Sequence, residues 1–501
     1  MLSPLPNKFK TQKIHMSNLS GKAAAATGHH LTTQAALEVI DAGGNAFDGA
    51  IAAAFMACVC EPILASPGGG GFAMIHDGTG TRLLDFFAQT PSHKKTSAVD
   101  FNAIEADFGA AIQVFHIGNA SSATPGFIPG LFALHKKHAR LPMANLIAPA
   151  CKVARNGVEI TPFQHYLSTV ISPILLHSKS SRAVFAPGGQ LHQPGEMFYN
   201  RHLANFFDHI SNTGIKAFPL SAILADQQNG GHLQATDFEN YQVFERASHC
   251  IDVAGSKVHL NPVPAASGVL IALAFANLSV SGTDTRVVDI AHALKAVDTA
   301  RCQSNNNLDA LLSQLGPSAY RGTTHISVVD RQKNACSLTL SNGEGNGTMV
   351  DGCGFMLNNM LGETDVNPDG QLGWPVNTRL SSMMCPTIIE HRDGSVFALG
   401  TGGSNRIRSA IFQVLVNLLL KGNDIAKSVT NPRLHIENGH LDFEMPDNAE
   451  IASQLKAAFA DHRQWPEKNM FFGGCHIACH QADQRFGGFG DHRRHGFFAT
   501  L

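Results

Sequence analysis

A chain of 501 residues is long enough for two or three ordinary domains, or for one large domain around a shared core. Hydrophobic residues make up 44% of it and charged residues 15%, which excludes a disordered chain. A formal net charge of −2 provides no basic field for nucleic acid or an anionic membrane, so small molecules are the expected partners.

The first residues, Met1 to Lys10, include basic side chains but no apolar run behind them, which argues against a secretory signal. The most apolar segment, Ala46 to Cys60, contains Asp48 and is too short to span a bilayer. Ten cysteines without an export signal are expected as reduced core thiols, and the protein is expected in the cytoplasm.

Residues 1–20 read as a loose arm, followed by an entering strand within Gly21 to Thr27. Thr32 or Thr33 is the expected cap of a helix whose Ala36, Leu37 and Ile40 share a face, stopped by Gly43-Gly44. Asn45 or Asp48 starts a second, alanine-rich helix that ends before Glu61-Pro62, because a residue preceding proline disfavours the helical region. Pro67-Gly68-Gly69-Gly70-Gly71 has neither the Gly-Lys-Ser/Thr ending of a phosphate loop nor a spaced Gly-x-Gly-x-x-Gly. It reads instead as a tight crossing into the strand Phe72–His76.

A second strand leads to Asp85-Phe86-Phe87, and a turn-rich passage from Ser122 precedes a helix at Leu131 to His135. The middle, from about Leu141 to Asn306, reads as mostly helical with Gly/Pro surface turns. Gln303 to Tyr320 reads as an accessible connection. Beyond it come strands at Ile326–Val329, Ala335–Leu340, Thr387–Glu390 and Val396–Leu399, then a helix from Ile407 to Leu420. Strands with helices at both ends indicate an α/β layered protein.

The chemistry concentrates at Gly322-Thr323-Thr324-His325-Ile326-Ser327-Val328-Val329-Asp330. Taken alone, this is an alternating strand opened by two hydroxyl residues. A cut between Gly322 and Thr323 would change its meaning. Thr323 would then carry a nucleophilic Oγ and a free α-amine, which titrates near ~8 and can take the hydroxyl proton.

Two other chemistries fit poorly. Cys475-His476-Ile477-Ala478-Cys479-His480, with His492 and His495, does not have the spacing of a common zinc site, and alternation puts Cys475, Ile477 and Cys479 on one strand face as filler. No Gly-x-Ser-x-Gly is present for a serine hydrolase.

The Gly-Thr-Thr-His-Ile-Ser-Val-Val-Asp segment is followed by Gly354-Phe355-Met356-Leu357-Asn358-Asn359, Leu380-Ser381-Ser382-Met383 and Gly400-Thr401-Gly402-Gly403-Ser404. With Gly43-Gly44-Asn45-Ala46-Phe47-Asp48, Pro67 to Phe72, and Gly490-Asp491-His492-Arg493-Arg494, this order resembles the γ-glutamyltranspeptidase family over nearly the whole chain. The resemblance implies an N-terminal-nucleophile hydrolase with an αββα four-layer sandwich, built from a large chain (residues 21–322 after the arm) and a small chain (323–501) of one self-cleaved precursor. It implies acyl transfer or hydrolysis of γ-glutamyl amides such as glutathione, with no cofactor and no metal. A dimer of such heterodimers is compatible with the sequence, which does not fix the oligomeric state.

Carried onto this chain, the resemblance makes Thr323 the nucleophile, with cleavage at Gly322–Thr323. Backbone N–H groups of Gly403 and Ser404 become the oxyanion donors, Ser341 the hydroxyl supporting the nucleophile, and Ser381 and Ser382 the pair that binds the glutamyl carboxylate. The chain also departs from the pattern. Phe87 stands where the family has its carboxylate-binding arginine, which phenylalanine cannot replace. Gly343, Met360 and Glu363 stand where asparagine, glutamine and aspartate hold the substrate amine. Asn342, after a local shift, is a candidate replacement for the asparagine. A more apolar acyl group, as in the cephalosporin-acylase-like relatives, is the alternative expectation, and an unprocessed binding protein is the other.

Overall fold

The computed structural model describes residues 21–107, 112–279, 285–303, 322–363, 367, 370–444 and 448–501. The expected arm at 1–20 and most of the connection before Gly322 lie outside the described residues. In chain order the strands of the two main sheets begin with β1 (Ala23–Thr27), β2 (Gly70–His76), β3 (Thr81–Phe86), β4 (Phe244–Ala247), β5 (His249–Val253) and β6 (Ser256–Leu260). They continue with β7 (Thr323–Asp330), β8 (Ala335–Ser341), β9 (Thr387–Glu390), β10 (Val396–Gly400), β11 (His476–His480), β12 (Phe486–Gly490) and β13 (Phe497–Thr500). The first sheet runs β13-β1-β7-β8-β2-β3-β4 and the second β12-β11-β10-β9-β6-β5.

The sheets stack face to face, with β7 against β10 and β11. On the outer face of the first sheet lie α1 (His30–Asp41), α2 (Ala46–Cys60), α3 (Met143–Asn156) and α4 (Arg201–Thr213). On the outer face of the second lie α5 (Ser267–Ala276) and α6 (Arg406–Leu415). This is the αββα sandwich. Alternation along the strands explains the layering: Ala23, Ala25, Ile326 and Val328 enter the core beneath α2, whereas Ala24, Ala26 and Val329 enter the core between the sheets.

Helix α2 is buried along its whole length, which its alanines permit by letting backbones approach closely. Asn45 and Asp48 form a reciprocal capping box at its start, and Asp48 Oδ1 also accepts the N–H of Leu141 at 2.9 Å. The helix ends at Glu61, just before Pro62, and delivers that carboxyl beneath the start of β7.

Two expectations need correction. Helix α1 is capped by His29, whose Nδ1 accepts from Leu31 N–H; Thr32 and Thr33 lie inside the helix, and the Thr33 hydroxyl bonds Thr27 instead. The middle of the chain is mostly helical, as expected, and also contributes β4, β5 and β6. The helix expected at Ile407–Leu420 is α6 continued by a π-helical turn over Val416–Leu420. Nine described cysteines are free, and burial pushes the thiols of Cys475 and Cys479 up to about 11 and about 12. Among the described residues no helix is long and apolar enough to cross a membrane.

Candidate active site

Register brings the chemistry to one end of the first sheet: Thr323 pairs with Ser341 across β7 and β8, and Ser341 pairs with Gly70 of β2. Period two then sorts the side chains. Thr323, His325 and Ser327 face the second sheet, and Thr324 turns the other way to donate to Glu61 Oε1 at 2.9 Å. Desolvation raises the Glu61 carboxyl to about 7, against hydrogen bonds from Thr324 and Thr32. His325 bonds Thr339 and Ser327 through its two ring nitrogens, and burial keeps it well below its ordinary pKa, so it is neutral.

The Gly322–Thr323 peptide is held from both ends. Gly322 N–H donates to Glu344 Oε1 at 2.9 Å, and the Gly322 carbonyl accepts from Ser341 Oγ at 2.7 Å. Ser341 Oγ itself accepts from Gly343 N–H at 3.1 Å, which directs its proton onto the Gly322 carbonyl. Gly322 has no room for a side chain, since a Cβ there would lie 2.3 Å from the Gly343 carbonyl oxygen and 2.7 Å from that of Ile63.

In front of Thr323 opens a small cleft lined by Phe87, Ser341, Met360, Glu363, Ser382, Met383, Met384, Ser404 and Ile407. Opposite, β10 runs through Gly402-Gly403-Ser404 into α6. Gly403 has φ 132° and Ser404 φ 51°, a turn that left-handed backbone makes possible. A Cβ on Gly402 would fall 2.3 Å from the Thr323 carbonyl oxygen, so glycine is what lets this turn reach the nucleophile strand. The turn puts Ser404 at the cleft, just ahead of the start of α6.

Of the residues singled out in the sequence, Thr323, Ser341, Ser382, Glu363, Phe87, Met360 and Ser404 meet at this cleft; Gly403, next to Ser404 in the chain, is not among its lining. Ser381 does not line it; its hydroxyl donates to the Pro264 carbonyl at 2.8 Å. Asn342 does not enter either. It lines a neighbouring cavity with Ile63, Ser66, Glu344 and Met356. Position 343 explains why no asparagine stands there: a Cβ would fall 2.0 Å from Glu363 Oε1 and 2.1 Å from Asn359 Oδ1. A side chain at 343 would therefore collide with both Glu363 and Asn359.

Phe87 stacks on Phe72 with centroids 5.2 Å apart. The nearby arginine, Arg379, is turned away, bonding the Phe87 carbonyl and the Tyr241 hydroxyl (2.6 Å to the latter). Among the described residues no lysine or arginine lines the cleft, and Glu363 is its one carboxylate.

The family model for gamma-glutamyltranspeptidase matches residues 32–303 and 287–501. The chain belongs to the gamma-glutamyltranspeptidase family. It is 27% identical over 504 residues to a glutathione hydrolase proenzyme of Pseudomonas aeruginosa, covering 88% of each chain. It is 26% identical over 479 residues to the Acylase ACY 1 proenzyme of Pseudomonas sp. (strain V22), covering 86% of this chain and 85% of that one. Its fold is also that of cephalosporin acylase from Bacillus halodurans, with a TM-score of 0.83, 21% identity, and coverage of 100% and 99%.

Several groups around Thr323 and the glycine turn are not evident from the sequence. Met383 ends the Leu380–Met383 motif, Met384 follows it, and Ile407 lies shortly beyond Gly400–Ser404, so the sequence carries a signal for their position. Glu61 and Glu344 carry no local signal, because tertiary packing brings them to the Gly322–Thr324 segment.

Proposed function

We propose that the chain is a self-processing amidohydrolase that transfers an acyl group from γ-glutamyl amides such as glutathione to water or an amine, through an acyl-Thr323 intermediate. The observation that carries this reading is the Gly322–Thr323 peptide, clamped by Glu344 and Ser341 with the Thr323 side chain at the cleft. In processing, Thr323 Oγ attacks the Gly322 carbonyl carbon, and negative charge gathers on the oxygen that already accepts from Ser341. Hydrolysis of the resulting ester frees a large chain ending at Gly322 and a small chain of residues 323–501.

The same hydroxyl then attacks a substrate amide, with the freed α-amine as base and the Gly403–Ser404 backbone at the oxyanion. All these groups belong to the protein, so no cofactor enters the scheme.

A second reading has a specific observation behind it. Phe87 replaces the family's arginine, Arg379 is occupied elsewhere, and Met360, Met383, Met384 and Ile407 make the remaining wall apolar. Such a cleft has no counter-charge for a glutamyl carboxylate among its described residues and favours a non-glutamyl acylase, like the acylase relatives.

Turnover of γ-glutamyl p-nitroanilide against a panel of neutral acyl anilides decides between the two. Preference for the γ-glutamyl compound supports the first, and preference for an apolar acyl group supports the second. No turnover of any anilide by cleaved protein overturns both.

A further inference from the structure

Arg494 belongs to the short turn His492–Arg494 that precedes the last strand. It is 5% exposed, and its stem lies flat on Gly474, where a Cβ would fall 2.5 Å from Arg494 Cβ. The guanidinium ends behind the Gly402–Gly403 turn. A Cβ on Gly402 would lie 3.1 Å from Arg494 Nη1 as well as 2.3 Å from the Thr323 carbonyl oxygen, so no side chain separates the two. Nε and Nη1 find no hydrogen-bond partner among the described residues. Burial lowers the Arg494 pKa to about 10, helped by Arg406 and opposed by Asp491, so the group is still cationic at neutral pH. A buried cation with unused donors is costly, and such groups cluster where charge has work to do.

The charges around Thr323 indicate what that work is. Glu344 holds the Gly322 N–H, Glu363 lines the cleft, and Glu61 sits on the far face of β7 at Thr324. His325, two residues on, is neutral, and Asp491 is engaged by Arg433 and Arg493. Carboxylates near a newly freed α-amine favour its protonated form, which cannot act as a base. Arg494, with Arg406 behind it, opposes them.

We propose that Arg494 is a positioning residue for the nucleophile: acting through the Gly402–Gly403 turn, its guanidinium keeps the α-amine that cleavage frees on Thr323 uncharged and able to accept the hydroxyl proton. The inference rests on the self-processing reading above. As the Oγ–C bond to the acyl carbon forms, the proton passes from the hydroxyl to the amine, and from there to the leaving nitrogen as the C–N bond breaks.

The test is the pH profile of kcat/KM for the self-processed enzyme, with an acyl p-nitroanilide that it turns over, in wild type, Arg494→Lys and Arg494→Met. The lysine variant keeps the wild-type acid limb. The methionine variant moves the limb up by at least about one pH unit: at an effective dielectric near 20 a single charge has that effect out to about 12 Å, and the two Gly402 contacts hold Arg494 Nη1 well inside that range of the Thr323 carbonyl oxygen. An unmoved limb in Arg494→Met, or an equal shift in both variants, overturns the proposal.

Should Arg494→Met fail to fold or cleave, the wild-type amine is titrated directly by competitive acetylation of the Thr323 fragment, read by mass. A midpoint below the ordinary value of about 8 is expected, and one at or above it overturns the proposal. Intact mass separates the two failures: uncleaved wild type defeats the self-processing reading, whereas cleaved wild type with an ordinary amine defeats only the role of Arg494.

Discussion

Gly402→Ala is the sharpest probe of the turn that faces the nucleophile. The added Cβ would stand 2.3 Å from the Thr323 carbonyl oxygen and 3.1 Å from Arg494 Nη1. A carbon–oxygen contact needs roughly 3.2 Å, so the turn must retreat by about 1 Å, because neither strand β7 nor the start of α6 is free to yield. Overpacking of this kind costs about 1–3 kcal/mol of stability. The larger effect falls on chemistry, since displacing oxyanion donors by about 1 Å lowers kcat on the order of 100-fold. The assay is steady-state turnover of purified, self-processed protein alongside its thermal midpoint. The expected result is a kcat loss far greater than any change in KM, in a protein that remains folded at the assay temperature. A kcat within twofold of wild type would show that the turn does not serve the reacting centre.

Ser341→Ala removes the donor on the Gly322 carbonyl, so disappearance of the precursor on a gel slows about 100-fold, while Ser341→Thr processes near the wild-type rate; equal rates for all three would remove Ser341 from the processing step. Glu61 has a folded pKa of about 7 against 4.5 for the free side chain, so its contribution to stability is complete below pH 4.5 and is lost as pH rises through 7, by up to about 3 kcal/mol. Glu61→Gln does not titrate, and urea midpoints at pH 5 and pH 8 should therefore show the variant gaining on wild type at the higher pH; a pH-independent difference would contradict the assignment. Gly343→Asn collides with Glu363 and Asn359 and destabilises the protein, whereas Glu363→Asp in the same chain withdraws the carboxylate and relieves the first of these contacts. Chemical denaturation of the four proteins should give a favourable coupling of at least about 1 kcal/mol, and strict additivity would refute the link between the two positions.

What the sequence made legible is local. The start of β7, the crossing into β2, the capping box of α2 and the Gly402-Gly403-Ser404 turn are each written in neighbouring residues whose backbone or side-chain chemistry has few uses. The hairpin of β5 and β6 was missed because its turn, Ala254-Gly255, uses positive φ at an alanine, 52°, where Asn or Asp would have announced it. The cap of α1 was misassigned because hydroxyl residues are favoured caps, yet Thr33 bonds Thr27 across from β1 and leaves the cap to His29. Ser381 looked equivalent to Ser382, and only the path of the chain past Pro264 separates them. The charged surroundings of Thr323 were the least legible part. Glu61, Glu344 and Arg494 come from three separate stretches of the chain and meet only through stacking of the two sheets and their helices.

The central claim is that Thr323 becomes an N-terminal nucleophile by cutting its own chain. Intact mass and N-terminal sequencing of the purified protein, beside Thr323→Ala, test it most directly. The account predicts two fragments, the smaller beginning at Thr323, with the variant left whole. A wild-type chain that stays in one piece under all conditions, or a variant cleaved at the same place, would contradict it.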